Sequence, residues 1–373
     1  MRTRAADIDL ILIGFGNVAR RFVALLADER TALARRHGLT TRVVGIVTRR
    51  HGHAFAAGGL PLHGPAQAAL RVPQGGPALR RRGGRDVPST LEFLRDALTK
   101  SRAAARQGRL VVIETTTLDI ARGEPATSHI RAALAGGAHV VTANKGPVAF
   151  AYRALARAAA RADRHFLFEG AVMDGVPVFN LVRDTLPGLT VKGFRGVVNS
   201  TTNFILTAME QGQPFAAALA EMQARGIAEA DASLDVDGWD AAAKTAALAN
   251  VLLAAGITPH AVDRQGLTPD AGRRAVEARA AGHRLKLVAR ARREGRHVTA
   301  RVRLEELPGD DLLAGLEGQQ NAIILETDLL DEIAVVQRGG SLTQTAYALL
   351  SDLVTIARAR RQSLRSTPGR RSL

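Results

Sequence analysis

Apolar positions near the N-terminus come in short uninterrupted runs, and a stretch with helical spacing follows each run. Residues 10–13 are all aliphatic and end in glycine, which predicts a buried parallel strand. Phe22, Leu25, Leu26 and Leu33 repeat at helical intervals across residues 20–36, and residues 42–47 (RVVGIV) predict a second strand. Strand, helix, strand is the repeating unit of a doubly wound sheet. The alternation resumes with a strand at 110–114, a helix over 129–135, a strand at 139–142, a helix over 152–162 and a strand at 165–168. After about Val176 the texture changes. Strand candidates at 191–198, 298–304 and 322–325 stand among helices, which predicts a second, mixed α+β domain. A last helix over 345–358 precedes a basic tail at 361–373, too short for a further regulatory domain.

One segment breaks the rhythm. Pro73, Gly75, Gly76 and Pro77 precede Arg80, Arg81, Arg82, Gly83, Gly84 and Arg85. Residues 71–109 therefore read as an exposed basic insertion with a short helix from about Thr90.

Composition narrows the function classes. Lys+Arg 51 against Asp+Glu 35 gives a net charge of +16, which favours polyanions or a phosphate-bearing cofactor. No basic stripe alternates with aromatics, so no specific nucleic-acid partner is expected. Cysteine is absent, which excludes disulfides, thiolate metal sites and thioester chemistry, and the ten histidines show no zinc-like spacing. The N-terminal apolar run is interrupted by Gly14 and Gly16, so it is not a signal peptide. No apolar run reaches ~18 residues, so the expectation is no membrane span and a cytoplasmic protein.

Gly14-Phe15-Gly16-Asn17-Val18-Ala19 fits G-x-G-x-x-G/A between a strand and a helix. The first glycine permits the tight turn, the second admits a pyrophosphate, and the small third residue lets helix and strand pack. A single pattern of this kind is weak, but the strands around it support a Rossmann-type dinucleotide site. The second strand ends in Thr48, Arg49 and Arg50, with no acid for a ribose 2′-hydroxyl. Arginine there suits a 2′-phosphate, so NADP is expected over NAD; a solvated basic loop is the alternative. Thr115 and Thr116, just past the 110–114 strand, complete this end of the cofactor set.

Residues 226–250 (GIAEADASLDVDGWDAAAKTAALAN) gather Glu229, Asp231, Asp235, Asp237, Asp240 and Lys244. Asp237 is expected to cap a helix with Asp240 at its third position. Lys244 shares a face with Leu248 and Val251 and has Asp240 one turn before it. A buried lysine held by carboxylates is a candidate proton-transfer group.

This segment resembles the signature of homoserine dehydrogenases. GVVNSTTNFIL (196–206) is similar to that family's substrate loop, HVVTANK (139–145) to the strand and loop carrying an active-site lysine, and FEGAVMDGVPVF (168–179) to its cation-binding segment. With GFGNVAR, five motifs occur in order between about residue 8 and about residue 358. The resemblance implies hydride transfer between L-homoserine or L-aspartate 4-semialdehyde and a nicotinamide dinucleotide, in threonine and methionine biosynthesis. It implies that Lys145 and Lys244 are catalytic and that Glu229, Asp235, Asp240, Thr201 and Asn199 line the substrate pocket. Lys145 also belongs to the implied cofactor set, as do Gly339 and Gly340. Glu169, Val172, Asp174 and Val176 match a site for a monovalent cation such as sodium; Glu169 could equally be a buried, capped carboxylate. The implied organisation is a nucleotide domain at 1–150, completed by 337–360, and a catalytic and dimerisation domain at 151–336, assembled as a homodimer. Three features depart from the family pattern: Gln337-Arg338-Gly339-Gly340-Ser341 where GPGAG is usual, Ser200 for glycine, and the 71–109 insertion. Two rivals stand beside this reading. One is another Rossmann dehydrogenase of a small hydroxy or amino acid. The other is a non-enzymatic dinucleotide sensor, in which both lysines would be dispensable.

Overall fold

The computed structural model describes residues 6–49, 52–60, 89–224 and 231–366. Strands β1 (Ala6–Ile13), β2 (Leu39–Thr48), β3 (Gly52–Phe55), β4 (Leu110–Glu114), β5 (His139–Thr142) and β6 (Phe166–Leu167) form one sheet. Their order is β3-β2-β1-β4-β5-β6, parallel throughout except for β3, which folds back antiparallel on β2. Parallel strands are covered on both faces, which is why these read as apolar runs rather than alternating ones. In β1, Leu10 and Leu12 pack with Phe22 of α1 (Asn17–Asp28) and with Leu349 and Leu353 of the last helix. Ile11 and Ile13 pack on the other face, in the core that holds Phe93 and Leu94 of α2 (Thr90–Lys100) and Ile130 of α3 (Ala126–Ala135). β1 has β2 on one side and β4 on the other, so chain order reverses there, and ligands of such sheets bind beyond the strand ends at that point.

The second sheet has the order β12-β11-β7-β9-β10-β8. It is built from β7 (Val191–Val197), β8 (Asp263–Arg264), β9 (His283–Glu294), β10 (His297–Pro308), β11 (Asn321–Thr327) and β12 (Glu332–Gln337). Its pairs are antiparallel except β10 with β8. Helices α5 (Ser200–Met209), α6 (Trp239–Leu252) and α7 (Ala271–Ala280) share an apolar core with one face of this sheet, and α4 (Lys145–Ala162) leads from the first sheet into it. The chain then returns: α8 (Leu342–Ser366) lays Leu349, Leu353 and Ile356 against the β1 face of the first sheet.

Several expectations need correction. The segment 89–109 is not part of a loose insertion. Ser89 caps α2 through a reciprocal pair with Glu92, and Phe93, Leu94, Ala97 and Leu98 are core residues. The remainder of the expected insertion, 71–88, with Arg80, Arg81, Arg82 and Arg85, lies outside the described residues. The first sheet continues to Leu167, so the nucleotide half runs past residue 150, because β6 pairs with β5. The final helix extends to Ser366, beyond the expected start of the tail at 361, and Arg361 bonds the His37 carbonyl at 2.8 Å. Asp237 is not the N-cap of α6: Gly238 holds that position, and its left-handed φ of 78° sets the turn.

Candidate functional site

At the end of β1 the turn of Gly14 follows directly. Gly14 has φ 84°, and a Cβ there would sit 2.7 Å from the Thr115 carbonyl oxygen, so the turn and the β4 loop meet backbone to backbone. A Cβ at Gly16 would meet nothing within 4 Å, which leaves that side open to a ligand. Asn17 and Val18 open α1, so its free N–H groups and positive dipole end stand at the turn. A cavity of about 380 Å³ adjoins it, lined by Gly14, Gly16, Thr48, Arg49, Thr115, Thr116 and His129 among others. Arg49 is exposed at its β2 edge; Arg50 lies outside the described residues.

A buried carboxylate ties two strand-end loops together. Glu114, the last residue of β4, is fully buried. It accepts from the Thr116 amide at 2.9 Å, from the Thr116 hydroxyl, and from the Thr142 hydroxyl at 2.8 Å. Thr142 in turn receives the Asn144 amide at 2.9 Å, and Asn144 Nδ2 donates to the Thr116 carbonyl at 3.1 Å. Asn144 also caps α4 by accepting from Gly146 N at 2.9 Å. Burial pushes the Glu114 pKa up, against the pull of its threonine donors. The network fixes the loop of Thr115 and Thr116 relative to Lys145, the first residue of α4.

Lys145 and Lys244 converge on one carboxylate. Lys145 Nζ is 3.0 Å from Asp240 Oδ1, and Lys244 Nζ is 2.9 Å from Asp240 Oδ2. A cation in the first turn of a helix is disfavoured by the dipole, and Asp240 offsets that for Lys145. Lys244 also donates to the Val198 carbonyl at 2.7 Å. Asn199, the cap of α5, donates through Nδ2 to Asp240 at 2.9 Å and to Asp235 at 2.7 Å, while its Oδ1 receives Thr202 N at 2.8 Å. The Thr201 side chain beside Asp235 favours the charged carboxylate, weakly against burial. Burial opposes the charge on Asp240, but the two lysines outweigh it and hold the carboxyl far below the usual range. Burial likewise opposes the Lys244 ammonium, and Asp240 outweighs it, so the Lys244 pKa is raised. For Asp235, burial and then the Asp240 charge push the pKa up. Glu229 lies outside the described residues.

Asp174 joins this centre to the C-terminal loop. Its left-handed φ is 49°, and its carboxylate accepts from Thr345 Oγ1 and Gln337 Nε2, both at 2.9 Å. A Cβ on Gly340 would lie 2.6 Å from Asp174 Oδ2, so a side chain there would displace the Asp174 carboxylate; a Cβ on Gly339 would meet nothing within 4 Å. The Asp174 charge also helps to raise the Lys244 pKa. Glu169 is buried, and its carboxylate accepts from the amides of Val178 at 2.5 Å, Phe179 at 3.0 Å and Asn180 at 2.6 Å. That is a capped carboxylate. Beside it, burial pushes Asp352 up to about 7. With both carboxylates committed, Glu169, Val172, Asp174 and Val176 could offer a cation mainly main-chain oxygens. Among the described residues no group of three or more His, Asp or Glu is placed to hold a metal. No helix among them is long and apolar enough to cross a membrane.

Sequence reasoning missed Glu114, Thr142, Asn144, His129, Gln337 and Thr345. The acid at the end of an otherwise aliphatic strand was the one available signal, since a charge there must be satisfied. The others are ordinary polar residues whose roles arise from sheet order.

The homoserine dehydrogenase family model matches residues 177–354, and the model of the homoserine dehydrogenase NAD binding domain matches residues 14–169. The NAD(+)-dependent homoserine dehydrogenase of Pseudomonas canavaninivorans is 36% identical over 353 residues, covering 94% of this chain and 96% of that protein. The homoserine dehydrogenase of Methanocaldococcus jannaschii is 32% identical over 352 residues, covering 94% and 98%. The crystal structure of a homoserine dehydrogenase from Thiobacillus denitrificans superposes with a TM-score of 0.77 at 27% identity, covering 98% of this chain and 76% of that one.

Proposed function

Because the chain belongs to the homoserine dehydrogenase family, we propose that Lys145 and Lys244, bridged by Asp240, carry the proton chemistry of its reaction. That reaction interconverts L-homoserine and L-aspartate 4-semialdehyde, with hydride passing to or from a nicotinamide dinucleotide, and serves threonine and methionine biosynthesis. The observation that carries the proposal is the 3.0 and 2.9 Å pairing of both ammonium groups with one carboxylate. When bound, the nicotinamide supplies the hydride acceptor or donor. In aldehyde reduction, oxygen gains negative charge as hydride arrives, and two cations held at a fixed point stabilise it. The raised pKa keeps the Lys244 proton in place at neutral pH, ready to be given to that oxygen. In alcohol oxidation Lys244 must first release its proton to solvent, and the neutral amine then takes the hydroxyl proton, so the oxidative direction gains as pH rises. Asp235, Thr201, Asn199 and Glu229 supply the acceptors and donors that a zwitterionic amino acid needs. The Gly14 turn, Gly16, Asn17, Val18, Thr115, Thr116, Gly339 and Gly340 hold the cofactor.

Arg49 supports tighter binding of NADP than of NAD, through its exposed guanidinium at the ribose edge of the cavity. The NAD(+) dependence of the Pseudomonas canavaninivorans relative favours turnover with NAD. Both can hold, because binding that is equally strong in the ground state does not raise kcat. A monovalent cation at the main-chain oxygens of Glu169, Val172, Asp174 and Val176, and assembly as a homodimer, complete the reading. Titrating sodium into dialysed enzyme and measuring mass by light scattering test them. The discriminating assay is reduction of NAD and NADP with L-homoserine, malate, lactate or glutamate. L-homoserine alone should support it; comparable rates with another acid would favour a different Rossmann dehydrogenase.

A further inference from the structure

His129 is 3% exposed, in α3, and its Nδ1 has no hydrogen-bond partner among the described residues. Buried polar atoms are nearly always paired, so an orphan needs a reason. The ring lines the 380 Å³ cavity beside the Gly14 turn. Two parts of that lining already have assignments in the proposed function. Gly14 and Gly16 face the pyrophosphate, and Thr48 with Arg49 meets the adenosine ribose at the end of β2. Thr117, Pro125 and His129, with Val47, line the same cavity and have no such assignment.

We propose that His129 recognises the adenine base of the dinucleotide, its unpartnered Nδ1 accepting a hydrogen bond from the 6-amino group. The inference rests on the reading that this cavity takes the adenosine half of the cofactor. Adenine offers what this lining lacks: a flat apolar face for Val47 and Pro125, and an edge with an amine donor and ring-nitrogen acceptors. Burial lowers the His129 pKa, with Glu124 opposing, so the ring is neutral near pH 7 and can both donate and accept. A neutral imidazole suits a base rather than a phosphate. Rotation about the Cβ–Cγ bond exchanges Nδ1 with Cδ2 in nearly the same space, so the orphan nitrogen can be turned to the base without repacking α3.

The test is calorimetric titration of NAD and of its hypoxanthine analogue, in which oxygen replaces the 6-amino group, into wild type and His129→Phe. Nicotinamide mononucleotide, which lacks the base, is the third probe. Wild type should bind NAD roughly tenfold more tightly than the analogue, the scale of one hydrogen bond. His129→Phe should lose that preference and keep its affinity for nicotinamide mononucleotide. Equal affinities of the two dinucleotides for wild type overturn the role of His129, and this arm needs no variant to fold. A preference that survives in folded His129→Phe overturns it too. Wild type that binds nicotinamide mononucleotide but neither dinucleotide more tightly removes the adenosine cavity itself, a separate failure.

Discussion

Asp240→Asn is the most informative single substitution, because the side chain keeps its shape and loses only charge and one acceptor. In the native site Oδ1 receives Lys145, and Oδ2 receives both Lys244 and Asn199. An amide has one acceptor oxygen, so its NH2 must face donors on one side, and two half-buried ammonium groups lose their common counter-charge. Breaking a buried ion pair by removing one partner costs about 3–5 kcal/mol. At about 2 °C per kcal/mol for a large chain, Tm should fall by roughly 6–10 °C. The depressed Asp240 pKa contributes stability that is present above about pH 4 and lost as pH falls below it. The raised Lys244 pKa contributes stability that is present below about pH 10 and lost above it. The Tm deficit of the variant should therefore be flat from about pH 5 to 9 and shrink in acid. Loss of pre-organised charge at the reacting oxygen costs ~10²–10³ in kcat, while cofactor affinity at the Gly14 turn stays within a few-fold. Without Asp240, burial of Lys244 is no longer offset, so the alkaline limb of kcat/KM for aldehyde reduction should move to lower pH. Scanning calorimetry and steady-state pH profiles read these effects. A variant with kcat within fivefold of wild type and an unmoved alkaline limb would refute the idea that this carboxylate holds the lysines for catalysis.

Two further outcomes follow from the cofactor end. Glu114→Ala leaves the Thr116 amide and hydroxyl without their acceptor, at about 1–3 kcal/mol for each buried group left unpaired, while Thr142 keeps only the main-chain carbonyl of residue 114; it should raise cofactor KM and lower kcat by roughly tenfold each. Glu114→Gln should recover most of this, since its oxygen can serve Thr116 and its amine can donate to Thr142; if it behaves like Glu114→Ala, the charge and not the network is what matters. Arg49→Ala should weaken NADP binding by roughly tenfold and NAD binding little, with the difference shrinking as salt rises, in fluorescence titrations. An unchanged NADP affinity would move the preference to Arg50 or Arg338, or remove it.

The first sheet was largely legible because its strands are buried on both faces. Residues 110–114 and 139–142 carry apolar residues at 110–113 and 140–141 with polar residues only at their ends, and the structure gives them the expected bounds. β9 was not legible. Its arginines and Lys286 mask a period-two pattern in which Leu285, Leu287, Ala289 and Ala291 face the helices. Lys286 is fully buried yet bonded only to Asn203 Oδ1 at 3.0 Å and the Leu316 carbonyl, a pairing that no local pattern announces. β12 escaped because it is an edge strand with alternate exposed positions, and β3 because it is short. In the site, the partnership of Lys244 with Asp240 was readable because it spans one helical turn. The approach of Lys145 to the same carboxylate, and the Glu114 network, arise from strand order and have no signature in spacing.

The central claim is that Lys145 and Lys244 act as one unit on the substrate oxygen. Its most direct test is kcat for L-aspartate 4-semialdehyde reduction in Lys145→Ala, Lys244→Ala and the double variant, beside wild type at saturating cofactor. Each single variant should lose at least ~10²-fold, and the double variant should be little worse than the slower single, as for groups that work together. Near-normal turnover in either single variant, with the fold intact, would contradict the account.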